Sequence, residues 1–191
     1  MVQIEVVFCG IGSRNVAREQ MNFPFIGGYE IVGRVAVVGN DVTKVSVGDN
    51  VAVGMFTNAC FECAACNADK EQCCLKQATQ VAGGSFKAYG KDFREELPTF
   101  GGLSESFVCR EDFVFRLPEE MQSVEEVKFN RLAGVAPLLT AGLASFVPLR
   151  KFAGKGTIVG VLGCGVVGLL AVKIAKAFGS KVLVFSRSKD K

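Results

Sequence analysis

A cluster of cysteines is the feature of this sequence that points most directly to chemistry. Five of its eight cysteines fall within the stretch ACFECAACNADKEQCC. Two, two and seven residues separate Cys60, Cys63, Cys66 and Cys74, and a loop with this spacing can hold four thiolates tetrahedrally around one Zn²⁺. Four protein ligands leave no open position, so this zinc would be structural. Cys73 is the alternative fourth ligand.

Two other interpretations of the cysteines compete with zinc. Disulfides form in oxidising compartments, but the first residues lack the pattern of a secretory signal peptide, so we expect the cytoplasm or another reducing compartment. Ordinary buried thiols are rarely this dense. Cys9, Cys109 and Cys164 lie far from the cluster in sequence and are interpreted as small core residues.

The stretch GCGVVG places Gly163, Gly165 and Gly168 in a G-x-G-x-x-G pattern. A strand is predicted before it, over 158–162, and a helix after it, over 169–178. In that context the glycines permit a tight turn and close approach of a pyrophosphate, and the helix N-terminus can hold the anion; Val166 and Val167, between the glycines, are further candidate cofactor-binding residues. The competing interpretation is a glycine-rich packing turn.

The end of the second predicted strand bears on which dinucleotide would bind. NAD sites usually carry an acidic residue about 20 residues after the glycines. This chain has Ser186, Arg187 and Ser188 there, and their hydroxyl and guanidinium groups suit the 2′-phosphate of NADP(H). For Arg187 a solvated surface charge is the alternative.

The 191 residues contain no histidine, which excludes Ser-His and Cys-His nucleophiles and histidine-ligated metals from this sequence. Carboxylate, hydroxyl, amine and thiol chemistry remains. Tyr29 and Glu30 follow two glycines and precede an apolar run, so they form a candidate acid–base pair.

The pattern of apolar residues and glycines along the chain predicts a β-rich part followed by a part that contains helices. Short apolar runs with glycine turns, including QIEVVF, a strand pair in EIVGRVAVVG and a turn at Gly48 and Asp49, predict a β-barrel or sandwich. Residues 76–101 read as a long irregular loop, and GGLSESFV returns to a strand. A helical pattern follows through NRLAGVAPLLTAGLASFVPL, and the last segment reads as a βαβ unit.

Composition limits the partners. The net charge of +3 is spread without a long basic run, so nucleic acid is not expected. The apolar segment 158–172 is shorter than the roughly 20 residues of a membrane span, so membrane insertion is not expected either.

Taken in order, these motifs resemble the zinc-type medium-chain dehydrogenase/reductase family, in particular its cinnamyl-alcohol-dehydrogenase-like branch. VVFCGIGSRN, FPFIGGYEIVGRVAVVGNDVTKVSVGDNVAVG, the four-cysteine loop, GGLSESFV, APLLTAG and GCGVVG all have counterparts there. The resemblance implies a β-rich GroES-like barrel domain over residues 1–130. A linking helix and the β-α-β start of a Rossmann NADP-binding domain would follow over 131–191. It also implies a chain shortened at both ends.

The resemblance further implies that a second, catalytic zinc is not retained. Family members bind it through a cysteine in CGIC, a histidine in GHE and a cysteine in APLLCAG, where this sequence has Gly12, Tyr29 and Thr140. Glu30 is kept, and Ser13, Arg14 and Asn15 replace the family's proton-relay groups. Tyr29, Glu30, Ser13 and Thr140 are therefore the candidate residues of a degenerate catalytic site.

Two functions remain open at this stage. One is an NADPH-dependent oxidoreductase that works without catalytic zinc, in which Tyr29, with Ser13 or Thr140, donates a proton or hydrogen bond. The other is a non-catalytic accessory subunit that keeps the fold and the structural zinc within a homo-oligomer or larger complex.

Overall fold

A computed structural model describes residues 1–12, 26–75, 80–81, 100–123 and 126–187. The chain divides into two compact units, Met1–Ala136 and Pro137–Lys191. The border predicted at residues 130 and 131 falls within a helix, six residues before this division. Ser13, Arg14, Asn15 and Ser188 lie outside the described residues, as does most of the predicted loop at 76–101.

The first unit is built mainly of short strands, as the sequence predicts. In chain order they are β1 (Val2–Cys9), β2 (Ile31–Val38), β3 (Asn50–Val53), β4 (Phe56–Asn58), β5 (Gln80–Val81), β6 (Ser106–Cys109) and β7 (Val114–Arg116). Five form an antiparallel sheet in the order β6-β1-β2-β3-β7, while β4 pairs with β5. Helix α1 (Glu126–Val135) ends the unit.

Burial of β-branched residues explains the sheet. Val2 and Ile4 of β1, Ile31 of β2, and Val51 and Val53 of β3 are fully buried in one core cluster. Branched apolar side chains fit a pleated, buried face well. The expectation of a strand pair in EIVGRVAVVG is wrong, because this stretch forms the single strand β2, which pairs with β1 and β3.

Two polar contacts fasten the long connections of this sheet. The Asn50 side chain is 4% exposed, and its Nδ2 donates to the carbonyl oxygen of Met121 at 2.7 Å. The Glu111 carboxylate accepts the backbone N–H groups of Thr43 and Lys44, both at 2.9 Å. The N–H of Lys44, which has the larger effect, and that of Thr43 hold the pKa of Glu111 below its usual value.

The turn at Gly48 forms as predicted, with φ +94°.

The second unit is a β-α-β unit with one helix packed against it. Helix α2 (Ala141–Phe152) precedes β8 (Ile158–Leu162), α3 (Val166–Ala177) and β9 (Lys181–Phe185). β8 and β9 pair in parallel from Ile158 opposite Lys181 to Leu162 opposite Phe185. The predicted order of strand, glycine turn, helix and strand is confirmed, but α3 begins three residues earlier than expected.

Contacts between helices complete this unit. Ser145 Oγ lies 2.8 Å from the carbonyl oxygen of Ala141 and 2.9 Å from that of Val167, which joins α2 to the first turn of α3. The rings of Phe146 and Phe178 pack at 5.9 Å between centroids. In the described part of the chain, no single helix is long and apolar enough to cross a membrane. One bent pair of helices, Asn130–Leu139 with Ala141–Phe152, has the required length and apolar composition only when the two are taken together.

Candidate metal centre and nucleotide-binding turn

The structure brings the four predicted zinc ligands together in the loop after β4. The sulfurs of Cys60, Cys63, Cys66 and Cys74 all lie within 4.8 Å of one another. The Cys60–Cys66 and Cys63–Cys66 sulfur distances are 3.7 and 3.5 Å. Tetrahedral zinc with Zn–S bonds of about 2.3 Å places its sulfurs about 3.8 Å apart, so the donor set fits this ion. Cys73 is exposed and lies outside the set.

Backbone N–H groups and burial shift the pKa values of two of these thiols in opposite directions. The amide of Cys66 lowers the pKa of Cys63, and the amide of Leu75 does so as well, at 3.3 Å from its sulfur. Burial, followed by the hydrogen bond with Cys63, raises the pKa of Cys66. Cys63 is therefore the first of the pair to become a thiolate, and Zn²⁺ would displace the remaining protons.

Residues far apart in sequence cover this loop, and the cysteine spacing does not reveal them. Phe113 is buried in the same cluster as Cys63, Cys66 and Cys74. Arg110 lies over the ring of Phe61, with its Cζ 4.2 Å from the ring centroid.

The remaining cysteines occupy two environments. Cys109 lies in the core of the first unit, as predicted, and burial raises its pKa to about 12. Cys9 is half-buried against that core, and burial raises its pKa as well. Cys164 is half-buried and lines a cavity, whereas its sequence context predicts a small core residue.

The glycine turn between β8 and α3 has the backbone features that its pattern predicts. Gly163 has φ +95°, a conformation that side-chain-bearing residues rarely adopt. Its N–H donates to the carbonyl oxygen of Phe185 at 2.8 Å, which ties the turn to the end of β9. A Cβ on Gly168 would collide with the carbonyl oxygen of Gly163, so only glycine allows the helix to pack this closely. Gly165 caps α3 and provides no side-chain cap for its N–H groups.

Most of the predicted nucleotide-binding residues lie beside this turn. A cavity of about 550 Å³ is lined by Leu162, Gly163, Cys164, Gly165, Phe185, Ser186 and Arg187. Val166, Val167 and Gly168 line a second cavity of about 570 Å³, which also reaches Gly163 and Gly165. Leu162 and Phe185 are additional lining residues, and their position at the two strand ends beside the turn could have identified them.

The candidate catalytic residues have different surroundings. The Tyr29 ring is half-buried and packs against the core of the first unit. Glu30 is 8% exposed, and a Cβ on Gly10 would collide with its carboxylate. Thr140, at the start of α2 in the second unit, has a buried hydroxyl oxygen without a hydrogen-bond partner.

Glycine pairs hold the segment that carries Tyr29 and Glu30. Gly101 N–H donates to the Ile26 carbonyl oxygen at 2.8 Å, and Gly102 N–H donates to that of Gly28 at 2.9 Å. Gly28 has φ +100°, and a Cβ there would meet the Cys9 sulfur. This close backbone packing fixes the entry of the chain into β2.

A model of the alcohol dehydrogenase GroES-like domain matches residues 1–119, which is more than half of the chain. The chain belongs to the alcohol dehydrogenase GroES-like domain family. This confirms the resemblance to zinc-type medium-chain dehydrogenases and the GroES-like fold of the β-rich unit.

Curated proteins and solved structures agree with the family assignment. NADP-dependent alcohol dehydrogenase C 1 of Mycolicibacterium smegmatis is 41% identical over 89% of this chain and 45% of its own length. A cinnamyl alcohol dehydrogenase from Sorghum bicolor has a TM-score of 0.80 and 36% identity, over 100% of this chain and 52% of its own. A Helicobacter pylori cinnamyl alcohol dehydrogenase complexed with NADP(H) has a TM-score of 0.79 and 32% identity, over 98% and 52%.

The chain spans about half the length of the curated relatives it matches. Among the residues that the structure describes, the four-cysteine set of this GroES-like family member is the one group of three or more cysteine or acidic side chains with metal-binding geometry.

Proposed function

We propose that this chain contains the structural-zinc domain and the start of the nucleotide-binding domain of an NADP(H)-dependent oxidoreductase that works without a catalytic zinc. One observation carries the proposal: Ser186 and Arg187 line the same cavity as Gly163 and Gly165. A pyrophosphate site and a site for a ribose phosphate would thus be contiguous. We place the protein in the cytoplasm or another reducing compartment, where the four thiols stay available for zinc.

The chain's own residues would bind the cofactor as follows. The N–H groups at the start of α3, including those of Val166 and Val167, would hold the pyrophosphate, since no side chain caps them. Arg187, with Ser186 and Ser188, would bind the 2′-phosphate by charge-assisted hydrogen bonds. When bound, NADPH supplies the hydride.

The absence of a catalytic zinc is proposed from the residues at its expected ligand positions. Gly12 has no side chain, and a phenol and a threonine hydroxyl at Tyr29 and Thr140 are poor zinc ligands. The unpartnered hydroxyl of Thr140 can instead donate a hydrogen bond to a bound group. Tyr29 and Ser13 are the other proposed donors, and the buried Glu30 is the remaining candidate residue.

Titration with NADPH and NADH tests cofactor binding. The chain contains no tryptophan, so the nicotinamide fluorescence of NADPH can be followed without interference from that residue. Because a hydrogen bond to a charged group contributes about 1.5–3 kcal/mol, Arg187→Ala should weaken NADPH binding by about ten- to hundredfold. NADH affinity should not change.

Arg150→Ala is the matched control, because Arg150 is an exposed arginine in the last turn of α2. It should bind NADPH as the wild-type chain does. Wild-type chain that binds no NADPH would refute the cofactor proposal, and equal NADPH affinity in Arg187→Ala would refute the role of Arg187.

A second candidate function is a non-catalytic accessory subunit with the same fold and structural zinc. The observation that favours it is the apolar surface of the second unit, where Ile158, Leu162, Leu183 and Phe185 are exposed, Leu162 by 89%. Large exposed apolar patches mark surfaces that another protein segment covers. Native mass spectrometry of the purified chain tests this candidate: a homo-oligomer or larger complex supports it, and a stable, soluble monomer contradicts it.

A further inference from the structure

An arginine and two aromatic rings form a stack over the four-cysteine loop. The Arg110 guanidinium lies over the Phe61 ring, with 4.2 Å from Cζ to the ring centroid. The Phe61 and Phe113 rings meet edge to face, with 5.8 Å between centroids and 63° between planes. Arg110 Nε also donates to Asp112 Oδ2 at 3.1 Å, which fixes the guanidinium above the ring. Phe61 is thus held from two sides by the segment between β6 and β7.

The backbone of Phe61 is unusual. Its φ is +57°, in the left-handed region, where a Cβ is sterically disfavoured. Asp69 is the one other non-glycine residue with positive φ in the described part of the chain. Phe61 lies between Cys60 and Cys63, so its φ sets the direction of the chain from one sulfur to the next. Its N–H also donates a hydrogen bond to the Cys66 sulfur.

We infer that Arg110 and Phe113 hold Phe61 in its left-handed conformation, and that Phe61 thereby positions the sulfurs of Cys60, Cys63 and Cys66 for a metal. The inference rests on the proposed structural zinc. It adds positioning residues that the cysteine spacing does not identify. Without the stack, the backbone at residue 61 would be free to return to negative φ, and the sulfurs would have to be reordered around the ion. A held metal would then be lost more readily.

Zinc transfer from the 191-residue chain to a chromogenic chelator measures this effect as a first-order rate. Arg110 is partly exposed, and a cation–π contact at an exposed site is weak, so Arg110→Gln should release zinc about two- to fivefold faster than wild type. Arg150→Gln removes an exposed arginine in the second unit and should release zinc at the wild-type rate. Identical rates for Arg110→Gln and Arg150→Gln would overturn the inference.

Two substitutions at residue 61 separate backbone conformation from ring packing. Both Phe61→Gly and Phe61→Ala remove the ring, but glycine adopts positive φ at no steric cost. We expect Phe61→Ala to release zinc faster than Phe61→Gly, although alanine is the stiffer residue. The opposite order, or equal rates, would overturn the positioning role of the backbone.

Cobalt provides a readout of geometry that does not depend on release rates. Co²⁺ bound to four thiolates in a tetrahedral site has characteristic visible absorption. The intensity of this absorption should fall in Arg110→Gln and Phe61→Ala relative to wild type, whereas unchanged spectra would contradict the inference. Wild-type chain that holds one zinc, with no difference among the variants, refutes the positioning role alone, while wild-type chain that holds no zinc refutes the zinc site and the positioning role together.

Discussion

Alanine at two glycines of the nucleotide turn should separate folding from cofactor binding. In Gly168→Ala the new Cβ would collide with the Gly163 carbonyl oxygen, so α3 must move away from β8. Overpacking of this kind costs about 1–3 kcal/mol of unfolding free energy. At Gly165, φ is −76° and no atom lies within 4 Å of the position that a Cβ would take. Alanine there gains about 0.4–1 kcal/mol from the less flexible unfolded chain but is a poorer N-cap, so stability should stay close to wild type.

The same Gly165→Ala substitution should impair cofactor binding. Gly165 lines both cavities beside the turn, where a pyrophosphate would approach the backbone, and a methyl group would occupy part of that space. Loss of one charge-assisted hydrogen bond, worth about 1.5–3 kcal/mol, would weaken NADPH binding by about ten- to hundredfold. Gly165→Ala should therefore be about as stable as wild type and still bind NADPH poorly.

Urea unfolding followed by circular dichroism measures the stability of each variant, and NADPH fluorescence measures its affinity. Gly134→Ala, in α1 of the first unit, is the control, because no atom lies within 4 Å of its Cβ position. It should gain about 0.5–1 kcal/mol without a change in affinity. Wild-type affinity in Gly165→Ala would refute the assignment of this turn as a pyrophosphate site, and wild-type stability in Gly168→Ala would refute the packing argument.

Three further predictions concern the first unit. Cys66→Ser should lower the zinc content from one ion per chain to none by elemental analysis, whereas Cys73→Ser should keep one, because Cys73 lies outside the sulfur cluster. Glu111→Gln should unfold at lower urea concentration than wild type at pH 7. Because the pKa of Glu111 is lowered in the folded state, its contribution is complete above the usual value of 4.5 and is lost as the pH falls through the folded value, so the difference should shrink towards pH 3. Asn50→Ala should lose about 1–3 kcal/mol in the same assay, since it leaves the Met121 carbonyl oxygen without this donor.

The parts of the structure that sequence can predict are those encoded locally. The spacing of Cys60, Cys63, Cys66 and Cys74 fits within one loop, and the β-α-β unit lies within one short segment, so no distant residue is needed to recognise either. The predicted start of α3 is too late because the glycine pattern favours a helix only after its last glycine. Gly168 lies inside the helix, where its missing side chain allows contact with Gly163.

Contacts between residues that lie far apart in the chain cannot be predicted from the sequence pattern. The register of β1 against β6 pairs Val2 with Cys109, and nothing in either strand specifies the other. The stack of Arg110 on Phe61 likewise joins two segments that are 49 residues apart, and Arg110 lies outside the cysteine motif that contains Phe61. Such contacts arise from the way the strands pair, which a single sequence does not disclose.

The backbone that carries Tyr29 is held by contacts that do not involve its side chain. The glycine contacts at Gly28, Gly101 and Gly102 hold the backbone before β2 through hydrogen bonds between main-chain atoms, which do not depend on the side chain at residue 29. The Tyr29 ring can therefore pack on the core without disturbing this frame. The glycine turn differs, because a Cβ on Gly168 would collide with the Gly163 carbonyl oxygen, and the φ of +95° at Gly163 disfavours any side chain there. Substitution at residue 29 is thus compatible with the backbone before β2, whereas a side chain at Gly163 or Gly168 would change the backbone of the turn.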